Sequence, residues 1–231
     1  NQPEITFDTA AVPSPEQRRE AETMLFRNPS TAAPVIDFRR FMTDATFHHL
    51  ITSIRTVKAA CDNRKIVGTY SGYPLNMTAP KLFSSGLQNA TRVFNAPEVD
   101  FLATPINYRH RRGGDPGLCV NPFNGSSYLH GKLLEHENDL RTHFYHKLES
   151  GRTADLPETL SVIERSFGNA LTRGAGFWWY LFDNAWFHQE TIMRKVQAIN
   201  RAAQKALQCS RSSTAEVAVI FDENSPYYLA M

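Results

Sequence analysis

Residues 133–143, Leu-Leu-Glu-His-Glu-Asn-Asp-Leu-Arg-Thr-His, crowd ionisable groups at the end of a short, half-apolar run. Alternate residues of an extended strand point the same way, so Glu135 and Glu137 are expected to share one face. A carboxylate that attacks the anomeric carbon of a sugar needs such a rigid strand end and donors that hold it ionised. In a retaining enzyme it also needs a second carboxyl acid roughly 5–5.5 Å away. Arg141 offers a forked cation that would hold a nearby carboxylate in its charged form. A solvated charged loop with a surface Glu/Arg pair is the competing reading of the same residues.

A second concentration lies at 177–187, where Trp178, Trp179, Tyr180 and Trp186 stand among three phenylalanines. Aromatic faces stack on the apolar C–H faces of sugar rings, and Asp183 and Asn184 could bond sugar hydroxyls. About half of these rings are expected in the core, with those from Trp179 to Trp186 reaching the site. Tyr108 closes another apolar run; its phenol could donate to a catalytic carboxylate or belong to the rim. The cluster Arg109, His110, Arg111, Arg112 reads first as a solvated loop, with a phosphate or acidic-sugar site as the lesser alternative.

Other chemistries find less support. The stretch Gly-Thr-Tyr-Ser-Gly-Tyr-Pro at 68–74 lacks the glycine spacing of a nucleotide loop, and no Gly-Lys-Ser/Thr follows. His48 and His49, or His130, His136 and His143, form no His-Glu-x-x-His metal pair. No Gly-x-Ser-x-Gly elbow marks a serine hydrolase. Cys61, Cys119 and Cys209 have no metal-ligand spacing and allow at most one disulfide.

The elements that must position these residues alternate. Pro13 and Pro15 fix the entry to a first polar helix, with Ser14 as its cap. Ile36, Phe38, Phe41, Met42, Phe47, Leu50, Ile51, Ile54 and Val57 recur mostly at three- and four-residue spacings, predicting a long amphipathic helix, or two joined near Thr43 and Asp44. Strand-like runs follow at 64–74, 99–108, 128–139 and 174–184, separated by a helix around 79–95, a Gly/Pro-rich loop at 109–127 and a helix at 157–171. A helix at 188–207 comes next, and 215–225 reads as a last buried strand. Strands alternating with helices predict βαβ units and a parallel sheet. The C-terminal ends of parallel strands lie on one side, so Ser71, Tyr73, Tyr108, Glu135 to Asp139, and Trp178 to Asp183 are expected to converge.

The chain of 231 residues is 42% apolar and 21% charged, the make-up of a soluble globular protein. Its 25 basic against 23 acidic residues give 25 − 23 = +2, which implies neither a nucleic acid nor an anionic membrane as partner. No apolar run reaches a membrane-spanning length and no signal pattern opens the sequence, which starts at Asn1. The compartment is open between cytoplasmic and periplasmic or secreted. Asn76, Asn89 and Asn124 each begin an Asn-x-Ser/Thr triplet, relevant only in a eukaryotic secretory pathway.

Taken in order, 99–108, 130–143 and 170–187 resemble the second half of the catalytic barrel of family 42 glycoside hydrolases and their β-galactosidase-like relatives, over about residues 35–225. The resemblance implies an α/β fold, the C-terminal half of a TIM (β/α)8 barrel with about four βα units, ending with the first strand of a following α/β domain. Residues 1–208 would be the partial barrel and 209–231 the linker and that strand. It implies a retaining β-glycosidase working by double displacement on β-galactosides or related oligosaccharides, with no cofactor. Glu137 would be the nucleophile, with Glu135 as the rival, Tyr108 would orient it, and Asp139, Arg141 and Thr142 would support it. Tyr73, Asp139, Trp179, Asp183 and Trp186 would face the sugar.

The family's acid/base Glu follows an Asn at the end of the fourth strand, and no such strand end occurs upstream here. The expectation is therefore a chain that begins after that strand and carries one half of a two-carboxylate mechanism, inactive as an isolated fragment. General acid catalysis is typically worth about 10²- to 10⁴-fold. A non-catalytic carbohydrate-binding protein, or a half-barrel that self-associates into a homo-oligomer to close its open edges, is the alternative.

Overall fold

The computed structural model describes the chain except for residues 1–5, 7–8, 20–24, 71–84, 109, 116–122, 147–150, 182–185, 211 and 231. The chain forms two compact units: Asn1–Ser53 with Met77–Val93 and Val219–Met231, and Ile54–Asn76 with Phe94–Ala218.

The second unit carries a four-stranded parallel sheet in sequential order: β1 (Gly68–Tyr70), β2 (Phe101–Pro105), β3 (Leu133–Asn138) and β4 (Gly176–Trp179). The protein is thus a mixed α/β fold. In-register partners share a face, and the pairs Tyr70 with Ala103, Ala103 with Glu135, Pro105 with Glu137 and Glu137 with Trp178 define one side. Leu102, Thr104, Leu134, His136, Asn138, Phe177 and Trp179 take the other.

That other side is packed by helices. α5 (Leu156–Thr172) starts where the Asp155 side chain accepts from the Glu158 amide at 2.9 Å and a proline occupies the first turn. It buries Thr159, Val162, Ile163, Ser166 and Ala170, one stripe at helical spacing, and ends before Gly174, whose φ of 62° only glycine adopts freely. α6 (Glu190–Ala206) adds Ile192 and Ile199. Leu140, Tyr145, Trp186 and Phe187 complete this core, with Phe177 and Trp179 against it. Short helices α3 (Ala90–Asn95) and α4 (Asn124–Leu129) precede β2 and β3.

The first unit is built on α1 (Pro15–Arg19), most of α2 (Ala33–Ala60) and α7 (Ser225–Tyr228). α2 is one unbroken helix of 28 residues. The polar pair at 43–44 does not divide it; the buried Thr43 hydroxyl, which could compete for the backbone, donates to the Arg39 carbonyl at 3.1 Å within the helix. The Arg39 guanidinium ties α2 to the carbonyls of Tyr227 and Leu229 at 2.8 and 2.9 Å. Gly86 lies so close to α2 that a Cβ there would stand 2.5 Å from the Thr46 hydroxyl.

Two expected strands differ. Within 128–139 the strand begins at Leu133, because Tyr128 and Leu129 end α4 and Gly131 turns the chain at a φ of 64°. The run 215–221 is not a buried strand: Val217, Val219 and Ile220 are 83%, 95% and 91% exposed. Strand propensity needs a neighbouring strand to supply hydrogen bonds and cover, and none pairs with it among the described residues.

Candidate active site

Parallel order puts the C-terminal ends of β1 to β4 along one edge of the sheet, and Glu137 stands one residue before the end of β3. The backbone there is fixed on both sides. The Ile106 amide donates to the Glu137 carbonyl at 3.1 Å, and the Tyr180 amide to the Asn138 carbonyl at 3.0 Å, each extending a ladder past the named strand. The Glu137 side chain is buried at 6% exposure, and its Oε2 accepts a hydrogen bond from the Tyr70 phenol.

That bond spans two inter-strand gaps. Tyr70 ends β1 opposite Ala103, and Glu137 on β3 lies opposite Pro105, so the phenol passes over β2 where the side chain is a methyl group. Glu135, on the same face one step deeper, is half-buried. Its carboxyl lies over Gly176, where a Cβ would stand 2.5 Å from Oε1. Burial pushes the Glu135 carboxyl above the ordinary carboxylate range. Trp178 follows Gly176 on this face, 38% exposed and edge-on to Tyr180.

Asp139 anchors the loop beyond the strand. It pairs with Arg111 at 2.9 Å, both side chains nearly inaccessible, and Arg141 Nε stands 3.5 Å away. The Arg111 guanidinium lies 4.6 Å from the centre of the Tyr108 ring, and Arg141 4.8 Å from that of Tyr145. The hydroxyl of buried Thr142 donates to the Trp186 carbonyl. Arg111 therefore belongs to the supporting structure rather than to a solvated loop.

The structure brings Glu135, Glu137 and Trp178 onto one face and sends other expected residues elsewhere. Trp179 lies on the helix side, packed with Phe177 and Phe187, and Trp186 is 1% exposed inside the core with Tyr145 edge-on at 4.6 Å. Trp186 is core, and Trp179 is half-buried against that core on the side away from Glu137, because the register sets Trp178 beside Glu137 and turns its successor away. A phenol that reaches Glu137 is that of Tyr70, while Tyr108 is half exposed with its ring against Arg111. Arg141 has its ion pair with Asp139. Ser71, Tyr73, Asp183 and Asn184 lie outside the described residues, as do Asn76 and Cys119.

Tyr70 is the site residue that sequence reasoning passed over. No local signal marks it, because the register that sets Tyr70 opposite Ala103 and within reach of Glu137 joins residues far apart in sequence. On the opposite side of β3, His136 is 1% exposed; burial, aided by the Arg173 charge, pushes its imidazole down to about 4 and keeps it neutral at physiological pH. Of the Asn-x-Ser/Thr triplets, Asn89 is buried and Asn124 opens α4 with a buried Oδ1. The Cys61 and Cys209 thiols are free. Among the described residues, no group of three His, Cys, Asp or Glu side chains could hold a metal ion, and no helix is long and apolar enough to cross a membrane.

Comparison of the chain with protein-family models, with curated proteins and with solved structures returns no match.

Proposed function

We propose that the parallel sheet is the C-terminal half of a (β/α)8 barrel and that Glu137 is the nucleophile of a retaining β-glycosidase acting on β-galactosides or related oligosaccharides. The observation that carries this reading is the buried Glu137 carboxylate at a parallel-strand end, held through one oxygen by the Tyr70 phenol on a face shared with Trp178. Tyr70 fixes one carboxylate oxygen and leaves the other for attack on the anomeric carbon. The new carbon–oxygen ester bond replaces the glycosidic bond, and the leaving oxygen takes a proton from a carboxylic acid supplied from outside this sheet. Water then cleaves the ester, returning Glu137 as a carboxylate and the proton to that acid. Trp178 offers an aromatic surface to the apolar face of the sugar.

The test is covalent trapping in the intact natural protein with a 2-deoxy-2-fluoro-β-galactoside bearing a good leaving group. The expected result is a mass increase on the peptide carrying Glu137, abolished in Glu137→Gln. An adduct on Glu135 would transfer the role to that residue. Galactoside binding with no adduct and no turnover would make the protein a carbohydrate-binding one instead.

A further inference from the structure

The two carboxyl groups of β3 leave the strand in opposite directions. Glu137 leans toward β1, where its Oε2 accepts from the Tyr70 phenol. Glu135 leans toward β4. A Cβ built on Gly176 would stand 2.5 Å from Glu135 Oε1 and 2.9 Å from Oε2, so the carboxyl occupies the place that a side chain at 176 would take. The Gly176 backbone is not in the left-handed region, and its conformation does not call for glycine. What the missing side chain provides is room for the carboxyl, and a glycine inside a strand often marks such a close approach. The next residue of β4 on this face is Trp178, in register with Glu137, so the Glu135 carboxyl stands at the foot of the Trp178 side chain.

These three groups frame a place for one sugar ring. Trp178 offers an exposed aromatic surface, with Glu137 beside it on one hand and Glu135 below it on the other. Carboxyl groups that diverge by more than one strand spacing, about 4.8 Å, can bracket a ring. We propose that Glu135 binds a hydroxyl on the part of the ring remote from the anomeric carbon, and so selects the pyranoside that Glu137 attacks. This inference rests on the reading of Glu137 as a glycosidase nucleophile. Burial holds the Glu135 carboxyl above the ordinary carboxylate range, which favours the protonated acid. A protonated carboxyl both donates and accepts, and a sugar hydroxyl does the same. Such an acid is a poor nucleophile, since its proton must leave before it can attack.

Calorimetric titration of the intact natural protein with methyl β-galactoside and its 3-, 4- and 6-deoxy analogues tests it. In the parent, removal of one of these hydroxyls should weaken binding about 3- to 10-fold, the loss of one hydrogen bond. Glu135→Ala should weaken binding of the complete sugar by a similar factor and should no longer distinguish it from that deoxy analogue, so that the two losses do not add. Glu135→Gln keeps a donor and an acceptor and should restore most of the affinity. Gly176→Ala should act like Glu135→Ala, because its methyl group displaces the carboxyl without removing it, and it serves if the Glu135 variant does not fold. Losses that add in full, or a Gly176→Ala variant that binds as the parent does, would overturn the role of Glu135 and leave Glu137 as nucleophile wherever the parent still turns galactosides over. A parent that neither binds nor turns over a galactoside would overturn both readings, and a covalent adduct on Glu135 would overturn this one.

Discussion

Acid should destabilise the sheet-bearing unit through His136, and the size of the effect follows from burial. The imidazole has its folded-state pKa pushed down to about 4 from the ordinary 6.5. Above pH 6.5 the ring is neutral in both folded and unfolded chains and contributes no pH dependence. As pH falls below 6.5 the unfolded chain takes up the proton first, so folding weakens. The loss is complete below about pH 4, where both states are protonated. A shift of about 2.5 units is worth about 3 kcal/mol, with half of it lost near pH 5. Carboxylates titrate over part of the same range, so the measured quantity is the difference between the parent and His136→Gln. All three tryptophans lie in this unit, and urea unfolding followed by tryptophan fluorescence at pH 7.5 and at 4 reports on it directly. A difference between parent and variant that stays within about 0.5 kcal/mol across that range would refute the reasoning, because it would mean that His136 protonates freely in the folded state.

Two further outcomes follow from packing. Asp139→Asn leaves the inaccessible Arg111 guanidinium without its counter-charge and should cost about 3–5 kcal/mol in urea unfolding at neutral pH. A cost under about 1 kcal/mol would show that Arg111 is solvated. Gly68→Ala drives a methyl group into the Phe101 ring and carbonyl and should cost about 1–3 kcal/mol, seen as a lower thermal midpoint; an unchanged midpoint would disprove that close contact.

The regular elements were legible because their signals are local. Asp155 and Pro157 mark the start of α5, its apolar stripe has helical spacing, and the alternation of Leu134, Glu135, His136 and Glu137 placed both glutamates on one face. What escaped depends on partners distant in sequence. Which of Trp178 and Trp179 stands beside Glu137 is decided by the register of β4 on β3, and a shift of one residue would exchange them. The Tyr70 contact crosses β2 to reach β3 and passes over the small Ala103, a relation no window of sequence contains. The run 215–221 shows the converse, since its β-branched residues carry strand propensity but the fold gives them no neighbour. Arg111 reads in sequence as one of four loop charges, and its burial depends on Asp139, 28 residues further along the chain.

The two-sidedness of β3 also governs how the strand tolerates change over generations. Odd-numbered positions 135 and 137 present carboxyl groups to the face that would meet a ligand, whereas even-numbered 134, 136 and 138 are sealed against the helices. Mutational drift in this stretch should therefore be striped with a period of two. Replacements at odd positions would alter what the protein does while it still folds, and replacements at even positions would remove the protein from the cell before any activity could be selected.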